Sequence, residues 1–439
     1  MSTFALGPSP PVVGHPAVVG RLFAGPDQAA GYESIDDHHR RLNRCPQGGN
    51  WLAEVLAQSG LRGRGGAGFP TWRKWVAVGE RSEGRSVVVI NASEGEPLSA
   101  KDRTLLTLRP HLVLDGAALA ADTVDACEIV LYLSAGSRAT DQAVGRALRE
   151  RRRARLPEPP IRVVRTALRY IAGESSAVVQ RISGGPAKPR FTPPHSFEKG
   201  VNGQPTLIQN AETLAHVALI ARYGSAWFRE LGTDGSPGST LMTLSGNVRY
   251  PGVYEVDLRA RLGSVLEAAG GTTSPAEGAL LGGYFGTWLA AKSLQDVAMD
   301  SDQLRALHGA AVGCGVLAVL PEGGCGVVEA ARILTYLAAE TAGQCGPCVN
   351  GLASLSKTMA RIAASEAVPT DLDRVRRWAG MVRGRGACHH PDGAVGQLAS
   401  ALEIFADHVD MHISGHLCPG LGVAGFPPPP APARWWRQP

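Results

Sequence analysis

R-S-V-V-V-I-N-A-S-E-G-E-P, Arg85 to Pro97, sets an apolar run, Val87 to Ile90, directly before a polar loop. A short apolar run bounded by turn residues reads as a buried strand that opens into a loop at its carboxyl end. Upstream, W-L-A-E-V-L-A-Q-S-G from Trp51 carries apolar residues at helical spacing and ends at Gly60, a C-cap residue. Downstream, L-V-L-D-G-A-A-L-A-A-D-T from Leu112 reads as the next helix, and C-E-I-V-L-Y-L, Cys127 to Leu133, as a second strand. Strand, loop, helix, strand predicts an α/β domain with parallel pairing, its ligand at the carboxyl ends of the strands.

At 439 residues and 44% hydrophobic, the chain is long enough for two or three domains. It shows no basic-plus-apolar leader and no run near the roughly 18 apolar residues of a membrane span. A soluble, cytoplasmic protein is expected. The net charge of +5 is small for this size, and R-E-R-R-R-A-R, Arg149 to Arg155, lacks interleaved aromatics. It reads as a solvated helix end, with no nucleic-acid partner.

The pattern divides the chain into an extended or partly ordered arm (1–44), the α/β domain (45–235), a module of short strands and turns (236–322), a helical region (323–418) and a proline-rich tail (419–439). In the second module P-G at Pro251 and Gly252 marks a turn, and R-A-R-L-G-S-V-L-E-A-A-G-G one helix, as in a small β-grasp fold. The helical region is broken by loops at Ala364 to Thr370 and Arg383 to Gly393.

Two motifs carry chemistry. G-L-R-G-R-G-G-A-G-F-P-T-W-R-K-W, Gly60 to Trp75, follows a helix and so is not the dinucleotide fingerprint, which follows a strand. Its Gly63, Gly65, Gly66 and Gly68 let backbone amides approach a flat ring or phosphate, with Arg62, Arg64 and Lys74 adding positive charge. The second is G-Q-C-G-P-C, where Cys345 and Cys348, with distant Cys388, are the clustered candidates for metal ligands among eight cysteines. Ala342 stands where a third residue of a C-x-x-C-x-x-C run would fall. Zinc, a dithiol pair and an iron–sulfur cluster all fit these residues alone. Cys45, Cys127, Cys314, Cys325 and Cys418 read as isolated packing or surface thiols, and His389 and His390 as polar loop residues.

The glycine stretch resembles the flavin loop of the NADH-binding flavoprotein subunit of respiratory complex I, a family shared with NAD-linked hydrogenases and formate dehydrogenases. N-A-S-E-G-E-P-L-S-A-K-D-R (Asn91 to Arg103) is similar to its acidic flavin loop, and Y-I-A-G-E-S-S-A-V (Tyr170 to Val178) to its Tyr-x-x-Gly-Glu-Glu segment. P-A-K-P-R-F-T-P-P and G-Q-P-T-L-I-Q-N-A-E-T-L resemble its pocket-closing loops, G-N-V-R-Y-P-G-V-Y-E-V the entry of its β-grasp domain, and G-Q-C-G-P-C-V-N-G with Cys388 its cluster bundle. The likeness covers residues 45 to about 415. It implies a Rossmann-like FMN domain, a β-grasp domain and a helical iron–sulfur bundle. NAD(P)H would reduce FMN by hydride transfer, and single electrons would leave through the cluster.

By that resemblance Gly63, Arg64, Gly65, Gly66, Gly68, Phe69, Lys74, Asn91, Ser93 and Asn210 hold FMN and the dinucleotide. Glu94, Tyr170 and Glu174 form the catalytic set, with Tyr170, Gly173 and Glu174 on the nicotinamide side and Ser175 where the family's second glutamate would pair with ribose hydroxyls. Cys345, Cys348 and Cys388 hold a [4Fe–4S] or [3Fe–4S] cluster. A separate ferredoxin-like or membrane redox subunit would take the electrons, so a hetero-oligomer peripheral to a membrane complex is expected.

The sequence departs from the family at Ser175 (a glutamate there), Ser93 (an aspartate), Ala77 and His195 (aromatics) and Ala342 (a cysteine). These losses weigh on NADH over NADPH and on the fourth cluster corner, which water, His389, His390 or another chain could fill. A non-catalytic scaffold of the same fold is the alternative.

Overall fold

The protein is described here by a computed structural model covering residues 15–26, 32–416, 418, 420, 423 and 425–429. Most of the expected proline-rich tail lies outside the described residues.

The run at Val87 becomes β1 (Ser86–Ala92), and β2 (Ala126–Ser134), β3 (Ile161–Thr166) and β4 (Thr206–Asn210) join it in one sheet, ordered β3-β2-β1-β4. All neighbours are parallel, with Asn91 of β1 in register with Asn210 of β4. Helices α1 (Ile35–Leu42), α2 (Asn50–Ser59), α3 (Thr71–Gly79), α4 (Lys101–Leu108), α5 (Pro110–Thr123), α6 (Arg138–Arg153), α7 (Ser175–Ile182), α8 (Ser196–Lys199) and α9 (Ala211–Arg229) surround it. As expected, α2 ends at Gly60, which adopts the left-handed conformation (φ 70°). Helices α5 and α9 meet backbone to backbone at Gly116, where a Cβ would fall 1.9 Å from the Leu214 carbonyl oxygen.

The second module is a five-stranded sheet, β5 (Ser239–Gly246), β6 (Gly252–Asp257), β7 (Ala276–Leu281), β8 (Thr287–Ala290) and β9 (Val316–Pro321), ordered β6-β5-β9-β7-β8. Only β5 and β9 pair in parallel. Helices α10 (Leu262–Ala268) and α11 (Ser301–His308) accompany it. The bundle follows with α12 (Gly326–Ala339), a π-helical turn Pro347–Leu352, α13 (Ala353–Ala363), α14 (Asp371–Val382), α15 (His390–Ile404) and α16 (Ala406–Ile413). Its core is continuous with the underside of the second sheet through Leu280, Trp288 and Leu320.

Three expectations need correction. The described part of the N-terminal arm is packed: Ala17 and Leu22 are buried, Val19 N–H donates to the Glu255 carbonyl, and Ser34 caps α1. Its buried face is Ile35, His38 and Leu42, with the polar His38, held between Glu33 and Asp115, interrupting the apolar stripe. Arg151, in the supposed solvated helix end, is only 2% exposed and pairs with Asp115 (2.8 Å) and Glu158. His390 is no loop residue: it opens α15, buried against Tyr170 and Phe285, while His389 beside it is exposed.

Candidate functional site

At their carboxyl edge the four parallel strands carry polar residues: Asn91, the last but one of β1, and Ser134, Thr166 and Asn210 at the ends of β2, β3 and β4. This is where a doubly wound sheet leaves a crevice. The glycine loop folds over it. Gly63 N–H donates to the Phe69 carbonyl and Thr71 N–H to that of Leu61, so the loop is pinched at its base. Gly66 (φ 112°) and Gly68 (φ 61°) turn its tip through backbone conformations that favour glycine. A Cβ on either would meet nothing within 4 Å, so the tip borders open space. Gly65 approaches Asn210, whose Cβ lies 3.3 Å from where a Cβ on Gly65 would be.

Lys74, on α3, lies half-buried behind this loop. Among the described residues it has neither an ion-pair nor a hydrogen-bond partner, only the Phe69 ring with its centroid 5.7 Å away. Burial lowers its pKa. A partly desolvated ammonium beside a glycine cradle fits an anionic ligand, and FMN brings a phosphate. Arg64 is engaged otherwise: its backbone N–H donates to Thr213 Oγ1 (2.8 Å), and its guanidinium reaches the Pro237 carbonyl and Glu212.

Beneath Asn210 lies a buried charge cluster that motif reading passed over. Lys101 Nζ pairs with Asp102 (2.8 Å) and Glu212 (2.9 Å), and approaches Asn210 Oδ1 (3.3 Å). Asn210 Nδ2 donates to Asp102 Oδ2 at 2.6 Å, and its Oδ1 accepts from Glu212 N–H. Burial raises Asp102 to about 6 against the pull of Lys101. Burial also opposes ionisation of Glu212, but Lys101 and His216 outweigh it and hold that carboxyl at about 2. The network fixes the Asn210 amide, since its donor and acceptor ends meet different partners. A-K-D-R, Ala100 to Arg103, was the available signal, being charged residues that follow a strand-end loop into a helix.

The acidic residues of the expected catalytic set are turned to helix ends. Glu94 accepts from Ser99 Oγ (2.7 Å), the backbone N–H groups of Asp102 and Arg103, and the Arg103 guanidinium, at the start of α4. Glu174 is the N-cap of α7, accepting from Ser176 and Ala177 N–H, and Ser175 is the first residue of that helix. Asn91 Nδ2 donates to the Gly173 carbonyl (2.9 Å), and Ser93 Oγ meets Ser134 Oγ (3.1 Å). Tyr170 stacks among Tyr284, Phe285, Tyr336 and His390, where the three domains meet. Its hydroxyl lies 3.2 Å from Glu96 Oε2. Glu96, unnoticed in the sequence, is pushed by burial up to about 7, although Tyr284 N–H, Leu98 N–H and Tyr170 donate to it.

In the bundle, Cys345 and Cys348 flank the start of the π-helical turn and Cys388 precedes α15. Burial, and the neighbouring Cys345 and Cys388, push the Cys348 thiol pKa up, while the His390 N–H supports the Cys388 sulfur. The three sulfurs are not all within 4.8 Å of one another. A single ion needs its ligands that close, whereas each thiolate of a cluster binds a different iron, so the wider spread fits a cluster better than zinc. Ala342 offers no fourth ligand.

A parallel sheet with a glycine cradle, a β-grasp module and a three-cysteine bundle on one chain define a flavin and iron–sulfur electron-transfer subunit. The Nuo51 FMN-binding domain family matches residues 56–219, the SLBB domain family residues 241–283, and the NADH-ubiquinone oxidoreductase-F iron-sulfur binding region residues 329–412. The F 2 subunit of the NADH-quinone oxidoreductase of Rhizobium meliloti (strain 1021) is 34% identical over 380 residues, 84% of this chain and 90% of that protein. The F subunit of the Streptomyces coelicolor enzyme is 32% identical over 406 residues, 89% of this chain and 87% of that one. Among solved structures, NAD+-reducing [NiFe]-hydrogenase in the H2-reduced state matches with a TM-score of 0.75 and 31% identity. That match covers 83% of this chain and 62% of the hydrogenase chain. The chain belongs to the family of NADH-quinone oxidoreductase F subunits, as an FMN and iron–sulfur module of NADH dehydrogenase type.

The relatives are subunits of larger enzymes. No helix among the described residues is long and apolar enough to cross a membrane.

Proposed function

We propose that this chain takes electrons from a reduced nicotinamide dinucleotide and delivers them to a separate ferredoxin-like or membrane redox subunit of a hetero-oligomer at the cytoplasmic side of a membrane. The observation that carries this reading is Lys74, a partly desolvated cation beside the open tip of the glycine loop, with no ion-pair or hydrogen-bond partner among the described residues. The backbone of Gly63, Gly65, Gly66 and Gly68, with Lys74, Asn91, Ser93 and Asn210, would hold FMN, and Phe69 would face the adenine side. When bound, the flavin takes up an electron pair and the cluster carries electrons one at a time.

The chain's own residues bind and orient. Lys101, Asp102 and Glu212 hold the Asn210 amide in one orientation. Glu94 and Glu174 act as positioning residues, fixing the starts of α4 and α7 beside the strand ends. Tyr170 and Glu96 form a hydroxyl–carboxyl pair between the sheet edge and the bundle. Cys345, Cys348 and Cys388 would hold three corners of the cluster, the fourth being filled by a ligand from outside the cysteine set. Ser175 puts a hydroxyl where a carboxylate would repel a 2′-phosphate, so NADPH is expected to compete with NADH.

Anaerobic purification tests this. Yellow protein with one FMN per chain, iron in the bundle and bleaching by NADH or NADPH is expected. Colourless protein, with neither flavin nor iron after reconstitution, would return the scaffold reading. If Gly66→Val left flavin content unchanged, the cradle would be misassigned.

A further inference from the structure

Cys325 and Cys418, read from the sequence as isolated thiols, are not isolated. Cys325 is the N-cap of α12, Cys418 lies on the strap after α16, and both are buried. Their sulfurs and a ring nitrogen of His408 all lie within 4.8 Å of one another. His408 Nδ1 is 3.9 Å from Cys418 Sγ. One turn further along α16, His412 sets Nε2 3.2 Å from Cys325 Sγ.

We propose that Cys325, Cys418 and His408, with His412 alongside, form a structural zinc site that fastens the C-terminal strap to the start of α12. Tetrahedral zinc, with bonds of about 2.3 Å to sulfur and about 2.1 Å to nitrogen, holds its ligand atoms roughly 3.5–4 Å apart. The Cys418–His408 separation of 3.9 Å is of that size, and all three ligand atoms lie within 4.8 Å of one another, in contrast to the wider cysteine set near Cys345. Two thiols and an imidazole from three separate segments make three corners of a zinc site, and His412, close to Cys325 but outside that 4.8 Å set, lies beside it as the candidate fourth ligand.

The outer groups fit as well. His408 Nε2 faces Glu277 Oε1 of β7 at 3.5 Å, and His412 Nδ1 lies 3.1 Å from Ser365 Oγ. Each imidazole thus turns one nitrogen toward a sulfur and the other toward an oxygen acceptor, the arrangement that orients metal-binding histidines. The site is distinct from the cluster region, because α12 runs 14 residues, about 21 Å, between Cys325 and the loop leading to Cys345.

A fastening role follows from what the strap touches. Gly420 lies against the backbone at Gly324 and Cys325, with no room for a Cβ. Beyond it Phe426 stacks on Trp288 (5.5 Å between centroids), and its carbonyl accepts from Arg332. The strap therefore crosses from the bundle to the β-grasp sheet, and an ion at Cys418 would fix the point where it leaves α16.

Zinc, iron and FMN measured together on the full-length chain, purified with reductant, test the assignment. About one zinc per chain is expected, lost in Cys325→Ser and Cys418→Ser and kept in Cys348→Ser, which loses iron instead. Cobalt(II) added to zinc-stripped wild type should give the intense ligand-field bands of a tetrahedral thiolate site. That readout decides the matter even if a serine variant fails to fold. Zinc well below one per chain with no such cobalt bands would overturn the proposal. So would zinc that survives in Cys325→Ser and Cys418→Ser, or a Cys325–Cys418 disulfide in the reduced preparation. FMN content reads the cradle separately, so failure of the zinc site is distinguishable from failure of the flavin reading.

Discussion

The Tyr170 hydroxyl lies 3.2 Å from Glu96 Oε2, joining the segment before α7 to the loop that leaves β1. Burial lifts Glu96 from an ordinary 4.5 to about 7, so the folded protein keeps a proton there that the unfolded chain releases. Its contribution is therefore greatest below about pH 4.5 and is lost as pH rises toward 7, a change on the order of 3 kcal/mol. In Glu96→Gln that part of the pH dependence should vanish. Urea denaturation of both proteins at pH 5 and pH 8 measures it; parallel changes in the two would contradict the shift.

Lys74→Gln should weaken FMN binding by about 10- to 100-fold, the worth of a charge-assisted hydrogen bond to an anion. The flavin-free protein should be no less stable, since no ion pair among the described residues is broken. Flavin fluorescence titration and thermal melts of the apo form read the two effects separately.

Asp115 is 1% exposed and contacts His38 (2.9 Å), Arg151 (2.8 Å) and Arg222 (2.5 Å). Burial would raise its pKa, but these partners hold it far below the usual range. Asp115→Ala leaves two buried guanidinium groups short of a counter-charge and should cost about 3–5 kcal/mol by chemical denaturation at pH 7. The wild-type contribution needs an ionised carboxylate, so the gap between the two proteins should close in strong acid.

At Gly116 the limit is steric. Gly116→Ala places a methyl 1.9 Å from the Leu214 carbonyl oxygen, so α5 and α9 must separate. A loss of at least about 2 kcal/mol is expected, more than the helix propensity of alanine returns. A variant as stable as wild type would show that the helices do not cross so closely.

Ala342→Cys returns a thiolate three residues before Cys345. In reconstituted protein the variant should keep its iron longer in air than wild type. Equal loss rates would mean that position 342 does not face the cluster.

Much of the α/β domain was legible because its signals are local. The apolar run of β1 and the periodicity of α2 and α5 need no distant partner to be read, and the structure places them within a residue or two. The departures at Ser175 and Ala342 were likewise visible in the chain itself. The packing of α1 was hidden because His38, in the middle of its buried face between Ile35 and Leu42, is a polar group whose burial depends on Asp115, 77 residues later. Arg151 was misread for the same reason: a charged residue in a basic run reads as solvated until its buried counter-charge is known.

The sequence by itself determined the order of the domains, the glycine loop and the Cys345–Cys348 pair, since each is read from neighbouring residues. Only the tertiary structure decided which polar side chains meet. Lys101 with Glu212, Tyr170 with Glu96, and Cys325 with His412 and Cys418 are all partners far apart in the chain. Burying a charge or a thiol is tolerated only where its partner is brought within hydrogen-bonding or ligand distance. That distance is set by how helices and sheets pack, which no short stretch of residues records.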